Sequence, residues 1–245
     1  MKRPEGKKIL VFQTREKLYD FLTRKWKEIS KKAIEKKGIF IVALSGGETP
    51  IEFYQGLANS SLDWGKTHIF LADERLVPFD HPDSNYGMIK ANLLENVNIP
   101  EKNIHPIPIC PTVEESAEIY EYNLKKFFRL KKGDFPEFDL ILLGIGEDGH
   151  TASLFPEEPA ILEISHLSRE VHLDASLHDR VNLTLPVINH AMNIAFLLLG
   201  ESKAGIVKKI LEKPQNKLPA SLVRPLNGKI YYLLDKNAGS LLPQT

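Results

Sequence analysis

The sequence predicts an α/β protein with an open, mostly parallel sheet and helices on both faces, a Rossmann-like architecture. Short apolar runs alternate with longer amphipathic runs along the chain, which is the pattern of strands joined by helical crossovers. Most apolar runs lack the polar alternation of half-exposed strands, as expected for parallel strands buried on both faces. A length of 245 residues suits one α/β domain. We therefore expect residues 1–245 to form a single domain, with at most a small satellite lobe.

Each predicted strand is a short run rich in Ile, Val, Leu or Phe. These runs are Ile9–Phe12, Ile39–Leu44, His68–Ala72, Phe138–Leu143, Asn193–Leu199 and Ile230–Leu234. The amphipathic runs predict helices over Thr14–Lys37, Pro50–Asn59, Asn85–Glu95, Val113–Lys131 and Ser202–Glu212. Capping residues support several ends: Thr14 and Thr112 precede helices, and Gly38 and Gly133 follow them. The stretch Pro156–Leu177 has mixed polarity, so we expect the satellite lobe there.

Composition argues against several classes of partner. Lys+Arg and Asp+Glu both number 32, and no long block of one sign is present, so neither nucleic acid nor a membrane surface is an expected partner. No apolar run approaches the roughly twenty residues of a bilayer span. Cys110 is the only cysteine, which excludes an internal disulfide and indicates a reducing compartment. We expect a cytoplasmic protein in which Cys110 is a packed thiol rather than a nucleophile.

The segment "SGGETP" follows the second predicted strand and precedes a helix. Gly46 and Gly47 let backbone N–H groups approach an anion, and the helix dipole favours negative charge there. Ser45 and Thr49 add hydroxyl donors. The segment predicts a phosphate-binding loop, and a simple strand-to-helix turn is the alternative. It is not a Walker A loop, because the G-K-[ST] element is missing.

Further polar residues follow other strands of the predicted sheet. Asp73 and Arg75 come after the third strand, and Asn85 lies near the start of the next helix. An acid, a base and an amide can bind sugar hydroxyls and polarise a carbonyl, whereas an exposed charged loop is the alternative. Arg180 precedes the strand-like run "VNLTLP", and Lys203 lies at the start of the predicted helix that follows the strand Asn193–Leu199. Each is typical of a surface charge by itself, and together they predict an anion site only if they converge.

The segment "GIGEDGHTASLFP", Gly144–Pro156, allows two interpretations. Its three glycines fit G-x-G-x-x-G, but a dinucleotide site needs a helix after the third glycine and an acid after the next strand. Pro156 and Pro159 end any such helix early. The alternative is an acid–base pair, because Gly149 permits a sharp turn that directs Asp148 and His150 into the crevice at the carboxyl ends of the strands.

These motifs together resemble the 6-phosphogluconolactonases, a family related to the glucosamine-6-phosphate deaminases. The matching segments are "LSGGETP", "DERLVPFDHPDSNY", "GIGEDGHTASLFP", "RVNLTLPVIN" and "GESKA", and they span Leu44–Ala204. In the deaminase branch, the segment that corresponds to "DERLVPFDHPDSNY" begins D-E-Y, and the segment that corresponds to "DGHTASLF" ends in Glu. Here Arg75 and Phe155 occupy those positions, so the residue that aminosugar chemistry uses is absent.

The resemblance implies hydrolysis of 6-phospho-D-glucono-1,5-lactone to 6-phospho-D-gluconate, a step of the oxidative pentose phosphate pathway. It also implies residue roles. His150 is the catalytic acid/base beside Asp148; Gly46, Gly47 and Thr49 hold the phosphate, helped by Arg180 and Lys203; Asp73, Arg75 and Asn85 line the sugar end. We further expect Ser45 to take part in substrate binding and Arg75 to stabilise the oxyanion of the tetrahedral intermediate. No cofactor and no metal are expected, since the lactone is an activated ester and the eight histidines show no metal-ligand spacing.

We expect a small-molecule sugar phosphate as the partner, and a monomer or weak homo-oligomer. Three alternatives stay open at the level of the sequence. They are a deaminase or isomerase of the same fold, a non-catalytic sugar-phosphate sensor that keeps the pocket, and a dinucleotide-dependent oxidoreductase that rests on the three glycines alone.

Overall fold

A computed structural model describes residues 6–173, 177–212 and 217–243. The strands within them are β1 (Lys7–Phe12), β2 (Phe40–Leu44), β3 (Thr67–Leu71), β4 (Asp73–Arg75), β5 (Ile104–His105), β6 (Leu140–Leu143), β7 (Ser168–Val171), β8 (Arg180–Leu183), β9 (Asn193–Leu198) and β10 (Lys229–Asp235). In the described part of the chain, seven strands form the main sheet in the order β1-β10-β9-β6-β2-β3-β5. All neighbours in it are parallel. The predicted parallel α/β fold is therefore confirmed.

The five predicted helices are present with corrections at their ends, and two short helices, over Leu185–Asn189 and Pro219–Leu222, were not predicted. The helices are α1 (Arg15–Lys37), α2 (Ile51–Ala58), α3 (Asn85–Asn92), α4 (Val113–Phe128), α5 (Leu185–Asn189), α6 (Ala204–Glu212) and α7 (Pro219–Leu222). Thr14 caps α1 by accepting a hydrogen bond from the N–H of Lys17, and Gly38 ends it with φ 83°. Within the described ranges, no helix has the length and apolar character needed to cross a bilayer.

Three helix boundaries differ from the predicted ones by two residues or more, because local turns replace the last or first α-helical turn. Helix α4 stops at Phe128, since Arg129 adopts the left-handed conformation with φ 54°. The prediction that Gly133 ends this helix was wrong. Leu94–Asn96 and Glu201–Lys203 are 3₁₀ turns, so α3 ends before Glu95 and α6 begins only at Ala204.

The main sheet forms the core because helices cover its central strands on both faces. Every residue of β2 and β6 is buried, as the uninterrupted apolar runs predicted. The ring of Trp26 in α1 packs edge-on against Phe40, with 5.3 Å between ring centroids. Strand β1 is at the edge of the sheet and is less covered, since Ile9 and Val11 are 41% and 48% exposed.

A second, antiparallel sheet packs beside the main sheet and carries part of the site. Its order is β4-β8-β7, and β4 follows β3 after a single residue. The described part of the predicted satellite stretch 156–177 contains a 3₁₀ turn over Pro159–Leu162 and supplies β7 to this sheet, while residues 174–176 lie outside the described residues. The sequence did not predict β4, because its three residues are polar and lack an apolar pattern. They form a strand by pairing with β8.

Candidate active site

The strand order brings the predicted site residues to one edge of the sheet. Strands β9, β6, β2 and β3 are neighbours and all run in the same direction. Their carboxyl ends lead directly into the segments that begin at Gly200, Gly144, Ser45 and Asp73. Ligands of open α/β sheets bind in the crevice outside these ends. The four polar segments therefore surround one crevice.

The glycine loop after β2 is shaped by its contact with Asn85. A Cβ on Gly46 would lie 1.8 Å from Oδ1 of Asn85, and Gly47 has φ +88°, so both positions need glycine. The Asn85 amide also donates to the carbonyl of Asp73 at 2.9 Å, which ties the loop after β2 to β4. The buried hydroxyl of Ser45 has no partner among the described residues. Thr49 lies half-buried just before α2.

The Asp148–His150 pair is built within one turn after β6. Nδ1 of His150 lies 2.6 Å from Oδ1 of Asp148, and the same oxygen accepts the His150 backbone N–H at 3.0 Å. Gly149 has φ +93°, and a Cβ on Gly146 would lie 2.1 Å from Nδ1 of His150. Burial alone would raise the pKa of Asp148, but the His150 contacts outweigh it and hold this pKa below its usual value.

The turn after Gly149 distinguishes between the two interpretations of the segment Gly144–Pro156, a dinucleotide site and an acid–base pair. After Gly149 the chain makes a tight turn closed by the pairing of Thr151 with Leu154, and no helix continues from the third glycine between 150 and 158. The dinucleotide alternative therefore lacks the helix that its phosphate site needs. Because the carboxylate of Asp148 accepts from Nδ1, the other ring nitrogen of His150 is left as the proton acceptor.

Two arginines lie side by side at the antiparallel sheet. Arg75 in β4 is paired with Arg180 in β8, and burial, followed by the charge of Arg75, lowers the pKa of Arg180. Their Nε atoms are buried and have no partner among the described residues. Arg75 donates to the carbonyl of Asp83 at 2.6 Å. A bound anion would satisfy both orphaned donors and reduce the repulsion between the two guanidinium groups.

Asp73 is buried, and its carboxylate is hydrogen-bonded to another residue of the protein. It is 4% exposed, and its Oδ2 accepts the hydroxyl of Ser153 at 2.6 Å. The backbone N–H of Ser153 donates to Asn182 at 2.7 Å, and Nη1 of Arg180 lies 3.5 Å from the Ser153 hydroxyl. Ser153 thus joins the loop after β6 to both β4 and β8. We did not select Ser153 or Asn182 from the sequence, where each resembles an ordinary loop or strand residue.

Like Ser153 and Asn182, Glu74 is a residue of the site that the sequence did not indicate. It is 1% exposed and accepts the backbone N–H groups of Arg75, Asn85 and Tyr86 at 2.8, 2.7 and 2.7 Å. Burial raises its pKa, although these N–H donors partly offset the effect. Glu74 anchors the start of α3 and with it Asn85. Its one signal in the sequence is its place between Asp73 and Arg75, which puts it on the opposite face of a strand.

Phe155 connects the two halves of the site. Its ring centroid lies 4.5 Å from that of His150 and 5.4 Å from Cζ of Arg180, so one aromatic ring separates the imidazole from the arginine pair. Lys203 lies half-buried in the 3₁₀ turn after β9. Its ammonium makes no ion pair or hydrogen bond in the described part of the chain, and no contact in that part links it to the arginine pair.

The carboxyl edge of a parallel α/β sheet thus carries a glycine loop, an arginine pair and a histidine held by a carboxylate, an arrangement that can bind an anionic ligand beside a group able to transfer protons. Residues 13–232 match the model of the family described as glucosamine-6-phosphate isomerases/6-phosphogluconolactonase. The chain belongs to this family. Within it, the chain groups with the 6-phosphogluconolactonase enzymes, as the following relatives show.

The similarity extends over nearly the whole chain. The 6-phosphogluconolactonase of Synechocystis sp. is 44% identical over 214 residues, which cover 86% of this chain and 88% of that protein. The GDH/6PGL endoplasmic bifunctional protein of Homo sapiens is 36% identical over 94% of this chain and 30% of that protein. The structure of the 6-phosphogluconolactonase from Trypanosoma brucei has a TM-score of 0.84 and 31% identity, covering 96% of this chain and 98% of that one.

Proposed function

We propose that this chain hydrolyses 6-phospho-D-glucono-1,5-lactone to 6-phospho-D-gluconate by general acid–base catalysis at His150, without a metal. The observation that carries the proposal is the 2.6 Å contact between Nδ1 of His150 and Oδ1 of Asp148. It fixes the tautomer and the orientation of the ring, so that Nε2 is free to accept a proton. The names of the related proteins support the identity of the substrate.

The reaction proceeds in two proton transfers. Nε2 of His150 takes a proton from a water molecule as its oxygen attacks C1, and the carbonyl oxygen becomes an oxyanion. As the C1–O5 bond breaks, the oxyanion collapses to the carboxyl group and the imidazolium returns its proton to O5. Asp148 stabilises the imidazolium between the two steps. Proton transfer of this kind contributes roughly a hundred- to ten-thousandfold in rate.

The cations divide between the two ends of the substrate. Gly46, Gly47 and Thr49 offer backbone and hydroxyl donors to the phosphate at the start of α2, and Arg180 and Lys203 neutralise its charge. Fixing the phosphate places C1 at His150, so binding energy remote from C1 is used for orientation.

Arg75 stabilises the oxyanion on the tetrahedral intermediate. Because Arg75 is paired with Arg180, this role requires the lactone to span a short distance between phosphate and C1. The Phe155 ring, which contacts both His150 and Arg180, supports that short separation. Asp73 and Asn85 line the sugar end, and Asn85 also contacts the glycine loop that binds the phosphate.

The decisive assay follows lactone disappearance. The lactone is generated in situ from glucose 6-phosphate with its dehydrogenase, and a control without this chain measures spontaneous hydrolysis. We expect acceleration by the wild type and none by His150→Asn. If folded wild-type protein gives no acceleration, the lactonase proposal is wrong. Ammonia release from glucosamine 6-phosphate then tests the deaminase alternative, and product binding without turnover tests the sensor.

We also propose that the chain acts in the cytoplasm as a monomer or weak homo-oligomer. The residues of the proposed mechanism all belong to one chain, which is compatible with catalysis by a monomer. The related human protein carries an endoplasmic name, so family membership alone does not fix the compartment. Light scattering across a concentration series tests the first statement, and cell fractionation tests the second.

A further inference from the structure

Three side chains with metal-ligating atoms meet beside Arg75. His81 and Asp83 lie between β4 and α3, and His178 lies just before β8. One potential ligand atom from each lies within 4.8 Å of the other two. Nε2 of His178 is 3.2 Å from Oδ2 of Asp83, and Nδ1 of His81 is 3.8 Å from the same oxygen. The proposed hydrolysis uses none of these three side chains.

We propose that His81, Asp83 and His178 bind a divalent transition metal, for which Zn²⁺ is the reference ion. Two imidazoles and one carboxylate are a ligand set that zinc accepts, with water completing the coordination. Ligand bonds of about 2.0–2.1 Å in a tetrahedral site separate the ligand atoms by roughly 3.3 Å. The two distances to Asp83 are close to this value, so the site forms by small rotations of side chains that are 32% to 54% exposed.

Backbone and side-chain packing support a built cluster rather than a chance meeting of exposed side chains. His178 adopts the left-handed backbone conformation with φ 57°, which is uncommon for residues other than glycine but is adopted by histidine more often than by most. Its ring packs edge-on against His81, with 5.4 Å between centroids. Nδ1 of His81 accepts the backbone N–H of Asp83 at 3.1 Å. A bound metal would use the lone pair of His81 Nδ1. The backbone N–H of the exposed Asp83 would then donate its hydrogen bond to water.

The cluster joins the two chain segments that hold the arginine pair. Arg75 donates to the carbonyl of Asp83, and His178 is followed closely by Arg180 in the chain. A metal bound by both segments would therefore restrain the loop before α3 relative to β8. The spacing of the histidines concealed this group, because Asp83 and His178 are 95 positions apart in the sequence. Metal binding here is independent of the proposed hydrolysis, whose chemistry takes place at His150.

The test is direct measurement of Zn²⁺ affinity. The full chain is stripped with a chelator and titrated with Zn²⁺ in competition with a chromophoric indicator. We expect one tight ion per chain, with a micromolar or lower dissociation constant, and a loss of tenfold or more in affinity for both His178→Ala and Asp83→Asn. The control is His166→Ala, because His166 is an exposed histidine outside the cluster whose Nδ1 lies 3.3 Å from the carboxylate of Glu121. This variant should bind as the wild type does.

Thermal unfolding in the presence and absence of Zn²⁺ supplies the second measurement. Melting in chelator verifies that each variant is folded, and excess Zn²⁺ should raise the Tm of the wild type and of His166→Ala but not of His178→Ala. The proposal is overturned if the wild type binds Zn²⁺ no more tightly than His178→Ala. It is equally overturned if His166→Ala loses as much affinity as His178→Ala.

Discussion

The histidine side and the arginine side of the candidate site are built in different ways. His150 is positioned by residues of its own loop: Asp148 holds its Nδ1, and Gly146 leaves space for its ring. Arg75 and Arg180 belong to strands that are distant in sequence, and the register of β4 with β8 puts them side by side. The first arrangement survives as long as one turn keeps its conformation. The second depends on tertiary packing and carries the repulsion of two like charges.

This difference separates the two kinds of damage that a substitution can cause. A change in the His150 loop should remove proton transfer and leave the strands intact. A change at the arginine side should weaken anion binding, or destabilise the small sheet that brings the arginines together.

His150→Asn should have the largest effect on rate. It removes the proton acceptor, so we expect kcat to fall by about a hundred- to ten-thousandfold while KM and the unfolding free energy change little. Steady-state kinetics measure kcat and KM, and urea unfolding measures the unfolding free energy. A variant that keeps full activity would refute the role of His150, and a large loss of stability would show that the loop also supports the fold.

Gly146→Ala tests whether space alone positions the imidazole. The new Cβ would lie 2.1 Å from Nδ1 of His150, so the ring must move, and a displacement of about 1 Å can reduce kcat by about a hundredfold. Gly144→Ala is the matched control, because its Cβ would contact nothing within 4 Å. We expect that variant to stay within about twofold of the wild type. Equal losses in both variants would contradict the steric argument.

Arg180→Ala should act mainly on substrate binding. Charged hydrogen bonds contribute about 1.5–3 kcal/mol, so KM should rise by about ten- to a hundredfold. The half-buried Lys203 should contribute less, with Lys203→Ala raising KM by up to about fivefold. Lys208→Ala changes an exposed lysine of α6 and serves as the control. If neither Arg180 nor Lys203 affects the kinetics, the phosphate binds elsewhere.

Ser153→Ala should lower stability rather than act through proton transfer. It removes the hydroxyl that donates to the buried Asp73 at 2.6 Å, and a buried acceptor that loses its partner costs about 1–3 kcal/mol. Ser60→Ala is the control, since the Ser60 hydroxyl makes only a long, exposed hydrogen bond of 3.4 Å. Urea unfolding at neutral pH measures the difference. Equal stability of the two variants would show that Ser153 does not support the antiparallel sheet.

The smallest effect is a pH dependence of opposite sign on the two sides. The pKa of Asp148 is lowered in the folded protein, so its contribution to stability is present above the usual carboxyl pKa and is lost as the pH falls through the lowered value. The pKa of Glu74 is raised, so its contribution is present at acid pH and is lost as the pH rises through the raised value.

Unfolding free energies measured from pH 7 down to about pH 2, below the ordinary Asp pKa of about 4, test this opposition. With rising pH, Asp148→Asn should become more destabilising relative to the wild type, and Glu74→Gln should become less so. Parallel pH profiles for the two variants would show that the environments of these carboxylates do not differ as described.

The amino-acid sequence by itself determined the features that depend on neighbours along the chain. Apolar runs predicted six of the strands of the main sheet, Thr14 and Thr112 predicted helix starts, and the "DGH" turn predicted the Asp148–His150 pair. These succeed because hydrophobic periodicity, caps and glycine turns encode backbone conformation locally. Gly133 shows the limit: Arg129 ended α4 instead, since more than one residue near a helix end can adopt the left-handed conformation.

Only the tertiary structure decided which distant side chains meet. The pairing of Arg75 with Arg180, the Ser153 bond to Asp73 and the meeting of Asp83 with His178 all join residues far apart in the chain. Such contacts depend on strand order, register and crossover path, and many arrangements of the same local elements satisfy the same hydrophobic pattern. For this reason the elements and the local Asp148–His150 contact were predictable, whereas the pairing of distant charges and the buried hydrogen bonds between distant residues were not.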